Sequence, residues 1–165
     1  MNFKGKIASR GPAIANRPFE GMQLTSTSIL QASCLCKALT VRLHGPPLRS
    51  HYCHCTICQS LHSAPYALIA VYTSSNLILP DHNPPKFAIF SPKDGLNVYR
   101  CHECGVTVCA RVENYKVWVI YVGAGISLDG KRIRPMEVPS FEGVMHMFYG
   151  QRQRDVRFVQ FSFES

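Results

Sequence analysis

The run Cys101-His102-Glu103-Cys104-Gly105 decides the fold. A C-x-x-C at a turn aims two thiolates at one point. The glycine after it permits the tight backbone that swings amides toward the sulfurs. Two sulfurs need two more, and Cys34-Leu35-Cys36 offers them. Four sulfurs at ~2.3 Å fill the shell of one tetrahedral Zn²⁺. Cys34, Cys36, Cys101 and Cys104 are therefore expected to hold a closed, structural zinc whose binding energy is folding energy.

Short strands surround these turns. Segments 37–43, 66–72, 86–90, 96–101, 117–122, 144–149 and 156–163 are rich in β-branched and aromatic residues, with Gly, Pro, Asn and Asp between them. In 156–163, Val156, Phe158, Gln160 and Ser162 alternate with Arg157, Val159, Phe161 and Phe163. Only 56–62 (TICQSLH), bounded by Pro65, reads as a helical turn. The fold class expected is mainly β, with small antiparallel sheets built around cysteine turns. Trp118, in VWVIYV, reads as core.

A second cysteine group is Cys53-His54-Cys55-Thr56-Ile57-Cys58. Three thiolates around Zn²⁺ leave a fourth position for water or substrate, the mark of a reactive site. The unit carries a formal −1, so it suits holding a substrate thiolate better than making hydroxide. Two alternatives stay open: a redox-sensing triplet, or a second structural site completed by His51, His54 or His62. His54 sits between two ligands, so its ring is expected to turn away from the metal, exposed or supporting the ligands from behind. Cys109, in TVCAR, alternates with core positions and reads as a buried apolar thiol.

The chain has 165 residues, 46% hydrophobic and 17% charged, which suits one globular domain with its own core. Residues 1–24 read as a basic arm and 25–165 as a single zinc domain. Eight cysteines are about 5% of the chain, below the ~8–10% of a disulfide scaffold. No apolar run approaches the ~20 residues that cross a bilayer. The N-terminus lacks a secretory h-region, and Gly11-Pro12 and Pro18 interrupt any amphipathic presequence helix. A mitochondrial leader fits weakly, and a reducing, cytoplasmic setting is expected.

Lys and Arg number 18 against 10 acids, a formal +8. They are spread out, the densest stretches being Lys131-Arg132-Ile133-Arg134 and Arg152-Gln153-Arg154. With no interleaved aromatic platform, nucleic acid is not the expected partner.

Taken in order, these motifs resemble the glutathione-dependent formaldehyde-activating (GFA) family, which includes the centromere protein V type of domain. The resemblance rests on Cys34-Leu-Cys36-Lys-Ala-Leu-Thr-Val, on Cys53-His-Cys55-Thr-Ile-Cys58 with Ser63-Ala64-Pro65-Tyr66, and on Ser91-Pro92 with Tyr99-Arg-Cys101-His-Glu-Cys104-Gly105. Leu128-Asp129-Gly130 and His146-Met-Phe148 extend it. Ser33 and Lys37 stand where glycines are usual, and the usual C-terminal Trp is missing.

The resemblance implies an Mss4-like fold, a structural zinc on the four-cysteine set and a catalytic zinc on Cys53, Cys55 and Cys58, two per chain. The implied activity is carbon–sulfur lyase chemistry joining glutathione and formaldehyde. Arg49, Tyr52 and Tyr66 flank the triplet and are the expected substrate-binding residues. Lys37, Arg100 and Arg111 are further candidate clamps for substrate carboxylates. Two other readings remain: the same zinc chemistry on a specialised metabolite, and a non-catalytic zinc module for protein or nucleic acid. The expected partner is a small molecule, with no membrane contact; a homo-oligomer is left open. Seven thiolates carry −7 and two Zn²⁺ +4, which brings the formal +8 to about +5.

Overall fold

The computed structural model describes residues 23–81, 85–128, 130–133 and 146–151. Its strands are β1 (Ile29–Ser33), β2 (Thr40–His44), β3 (Arg49–Cys53), β4 (Ala67–Thr73), β5 (Leu77–Ile78), β6 (Phe87–Lys93), β7 (Leu96–Cys101), β8 (Thr107–Val112), β9 (Val117–Tyr121), β10 (Gly125–Leu128), β11 (Lys131–Ile133) and β12 (His146–Met147). One α-helix, α1 (Thr56–His62), joins β3 to β4. The mainly β, antiparallel reading holds.

Two sheets form. The smaller runs β11-β10-β1-β2-β5 and the larger β12-β3-β4-β9-β8-β7-β6. All pairings are antiparallel except β12 on β3, where His146 stands opposite Tyr52. Period-two alternation decides which side chains meet. β1 buries Leu30 and Ala32, and β2 buries Val41 and Leu43. They pack with one face of the large sheet, carrying Ala70, Tyr72, Cys109, Trp118 and Ile120. Trp118 is 8% exposed and belongs to this core. Cys109 is buried as expected.

The opposite face of the large sheet has its own cluster. Ile69, Val98, Ala110 and Tyr121 gather there with Cys53 and Cys58. Strand β4 (ALIAVYT) is buried on both faces because each face meets a different cluster. At the far edge, β6 is largely exposed, and Pro92 and Lys93 close it against further pairing.

Sequence and structure agree closely for 96–101, which is β7, and for 56–62, which is α1. The expected strand at 37–43 begins later, at Thr40, because Cys34 to Leu39 are used by a turn. Strands β1, β3, β5, β8, β10 and β11 were not among the expected segments. The segment 156–163, residues 144–145, His82, Asp129, Arg134, Arg152, Arg154 and the arm as far as residue 22 lie outside the described residues. No helix among the described residues is long and apolar enough to cross a membrane.

Candidate metal centres

The four-cysteine set lies where the two sheets meet. Cys34 and Cys36 sit in the turn between β1 and β2; Cys101 and Cys104 sit in the turn between β7 and β8. Cys34 Sγ is 3.5 Å from Cys36 Sγ, and Cys36 Sγ is 3.6 Å from Cys101 Sγ. All four sulfurs lie within 4.8 Å of one another. Sulfurs at ~2.3 Å around a tetrahedral zinc stand about 3.8 Å apart, so the set fits that ion without rearrangement.

The backbone is folded for this. The Leu39 amide donates to Cys34 Sγ at 3.2 Å. The Gly105 amide donates to the Cys101 carbonyl at 3.0 Å, with Gly105 at φ +71°. Lys37 takes the same left-handed region, φ 64°, although it has a side chain. Burial pushes the Cys34 thiol up to about 12. The amides of Cys36 and Val106 hold Cys104 down, at about 6. Cys34 is thus held toward the neutral thiol and Cys104 toward the thiolate, a conflict that a bound cation would resolve.

The three-cysteine set lies on the other face of the large sheet. Cys53 ends β3, Cys55 caps α1, and Cys58 lies in its first turn. The three sulfurs also lie within 4.8 Å of one another. The Cys58 amide donates to Cys55 Sγ at 3.4 Å, the place an N-cap oxygen usually fills. Hydrogen bonds from the Cys53 and Cys58 thiols, then from backbone amides, hold Cys55 far down, at about 2. Cys53 and Cys58 are pushed up by their neighbouring thiols. Ionisation is thus favoured at Cys55 and opposed at Cys53 and Cys58; a divalent cation would let all three ionise.

Cys55 and Cys58 open onto a cavity of about 710 Å³. Its floor is the sheet: His51 and Arg49 from β3, Ile69 and Val71 from β4, Val119 and Tyr121 from β9. Register explains the set, because His51 pairs with Ile69 and Ile69 with Tyr121, while Arg49 pairs with Val71 and Val71 with Val119. His51 is 3% exposed, and its Nδ1 is buried without a hydrogen-bond partner. Burial, then the Arg49 charge, lowers its pKa, so the ring is neutral near pH 7. The sequence flagged His51 only as a spare ligand; its place on the cavity floor follows from alternation along β3.

The family model described as glutathione-dependent formaldehyde-activating enzyme matches residues 29–148. The chain belongs to the GFA family. The GFA match begins at β1 and ends just after β12, enclosing both cysteine sets. The fold is also similar to the crystal structure of a Rhodobacter sphaeroides protein. The TM-score is 0.52 at 17% identity, over 70% of this chain and 98% of that one. At that identity the likeness concerns the fold alone.

In this GFA chain the expected substrate residues part company. Arg49 lines the cavity with Cys55 and Cys58. Tyr52 and Tyr66 are not among its described lining residues. They meet edge to face with ring centroids 5.3 Å apart, and Tyr66 borders a separate cavity with His62 and Tyr121. Arg100 lies 5.3 Å over the Phe90 ring, and Arg111 lies 5.3 Å over Trp118 and pairs with Glu113. Lys37 is exposed in the C-x-C turn. His54 is fully buried rather than exposed, and its ring meets His146.

Proposed function

We propose that the chain is a zinc-dependent carbon–sulfur lyase-type enzyme, joining a thiol to a small carbonyl compound and reversing that join. The observation that carries this is the contrast between the two cysteine sets. Four sulfurs close a shell, whereas three sulfurs leave one position, and two of those three face a cavity. The family's description supplies the pair, glutathione and formaldehyde.

Zinc bound by Cys53, Cys55 and Cys58 supplies the Lewis acidity that keeps a substrate thiol ionised near neutral pH. The chain's own residues do the rest. The apolar floor gives water few partners beside the reacting sulfur, leaving it access from the mouth. His51 brings a ring, neutral near pH 7, to that floor beside the carbonyl. In the forward direction a sulfur electron pair forms the C–S bond. The carbonyl π pair moves to oxygen, which takes a proton from water. In the reverse step the hydroxyl proton returns to water, the oxygen pair re-forms the carbonyl, and the C–S pair leaves with sulfur as thiolate.

The test is exchange spectroscopy by NMR on glutathione and ¹³C-formaldehyde with zinc-loaded protein. Faster exchange than the uncatalysed mixture is expected, and its loss in Cys55→Ser. Equal rates with and without protein would end the lyase reading for this pair.

A further inference from the structure

The cavity beside the three-cysteine set is a poor place for a tripeptide. Ile69, Val71, Leu96, Ala110, Val112 and Val119 form its apolar wall, against which Thr56, His51 and Gln151 are the uncharged polar side chains besides the cysteines and the Tyr115 and Tyr121 hydroxyls. Glutathione would bring two carboxylates, an ammonium and two peptide groups onto that wall. Each polar group left without a partner costs about 1–3 kcal/mol. Leu48 and Tyr115 continue the apolar lining to the rim, where they are 63% and 78% exposed. The charged groups of the described lining are Arg49 and Lys93, both exposed, and it holds no acid. Arg49 stands on the same strand and face as Cys53, four residues away, or about 13 Å along β3. A volume of about 710 Å³ takes a drug-sized molecule.

We infer that the thiol this site takes is an apolar monoanion: a sulfur head at the three cysteines, an extended apolar body on the valine and isoleucine floor, and one carboxylate at the Arg49 rim. This rests on the thiol–carbonyl reading above and replaces glutathione within it. The apolar body gains about 25 cal/mol for each Å² it buries. The carboxylate keeps water and meets the exposed Arg49 guanidinium at the mouth.

The test uses full-length, zinc-loaded protein and four probes of known chemistry: mercaptoundecanoic acid, the neutral mercaptoundecanol of the same length, undecanoic acid and glutathione. Affinity is read by calorimetry. Contact with the metal is read separately, from the thiolate-to-metal absorption of cobalt-substituted protein. Mercaptoundecanoic acid is expected to bind at least tenfold tighter than glutathione and to shift the cobalt spectrum. Arg49→Met should weaken it about fivefold, leave mercaptoundecanol unchanged, and be rescued by Arg49→Lys.

Glutathione binding as tightly as the long thiol acid would overturn the substrate class and leave the thiol reading standing. If no thiol shifts the cobalt spectrum, the thiol reading falls and the class with it. Undecanoic acid binding as tightly as its thiol analogue would also overturn the inference, since the sulfur would then contribute nothing. So would a dimer in sedimentation that excludes the probe, which would assign this face to a second copy.

Discussion

His54 Nε2 and His146 Nδ1 lie 2.8 Å apart, joining residues 92 positions distant in the chain. His54 stands between Cys53 and Cys55 in the chain, and its ring packs against Tyr66, His146 and Tyr149. Around the pair the backbone is stitched down. The His54 amide donates to the Met147 carbonyl at 2.9 Å, and the Gln59 side chain donates to the His54 and Gln151 carbonyls. Met147, Phe148 and Gln151 then wall the cavity. The histidine pair therefore positions both the ligand loop and one side of the cavity.

Removing that support should loosen the triplet alone. His146→Ala is expected to lower metal affinity at Cys53, Cys55 and Cys58 about 10–100-fold, the usual effect of losing an outer support. Chelator competition followed by metal analysis would resolve the two sites. Equal loss at both would count against a local role for His146.

The two cysteine sets should differ in what they hold up. Cys36→Ser breaks a shell that pins one sheet to the other, and structural zinc sites are worth about 10–16 kcal/mol. That is comparable to the ~5–15 kcal/mol of a whole domain, so the variant should lose its near-UV circular dichroism. Cys55→Ser should keep that signal and lose one zinc and the turnover.

Lys37 holds a left-handed backbone, φ 64°, in the turn between Cys34 and Leu39. The left-handed region costs a residue with a Cβ about 1–2 kcal/mol, part of which glycine returns through its freer unfolded chain. Lys37→Gly should therefore stabilise by roughly 0.5–1 kcal/mol. The denaturant midpoint would rise with the slope unchanged.

His62 is half-buried, with Nε2 unpartnered. Burial, then the Arg100 charge, lowers its pKa from 6.5. Below pH 6.5 the unfolded chain binds a proton that the folded ring does not, so stability falls as the medium is acidified toward the folded value. Above 6.5 the group contributes nothing to the slope. His62→Gln should flatten stability against pH in that acid window, leaving the part due to His51, whose shift has the same sign. An unchanged slope would refute the assignment.

What the sequence determined by itself was local chemistry. The spacing of Cys101, Cys104 and Gly105 dictates a knuckle whatever surrounds it, and Cys53, Cys55 and Cys58 must share one neighbourhood because six residues span so little. The helix at 56–62 was legible from its short run before Pro65, and β7 from its β-branched and aromatic residues. What only the tertiary structure decided was which faces meet. RSHYC does not read as a strand, because its burial comes from β4 and β12 on either side rather than from its own hydrophobicity. The cavity takes residues from several strands of the large sheet, and which of them share a face depends on registers between segments distant in the chain. For the same reason His54, flanked by two cysteines in the sequence, is oriented by His146: a hydrogen bond follows distance in space.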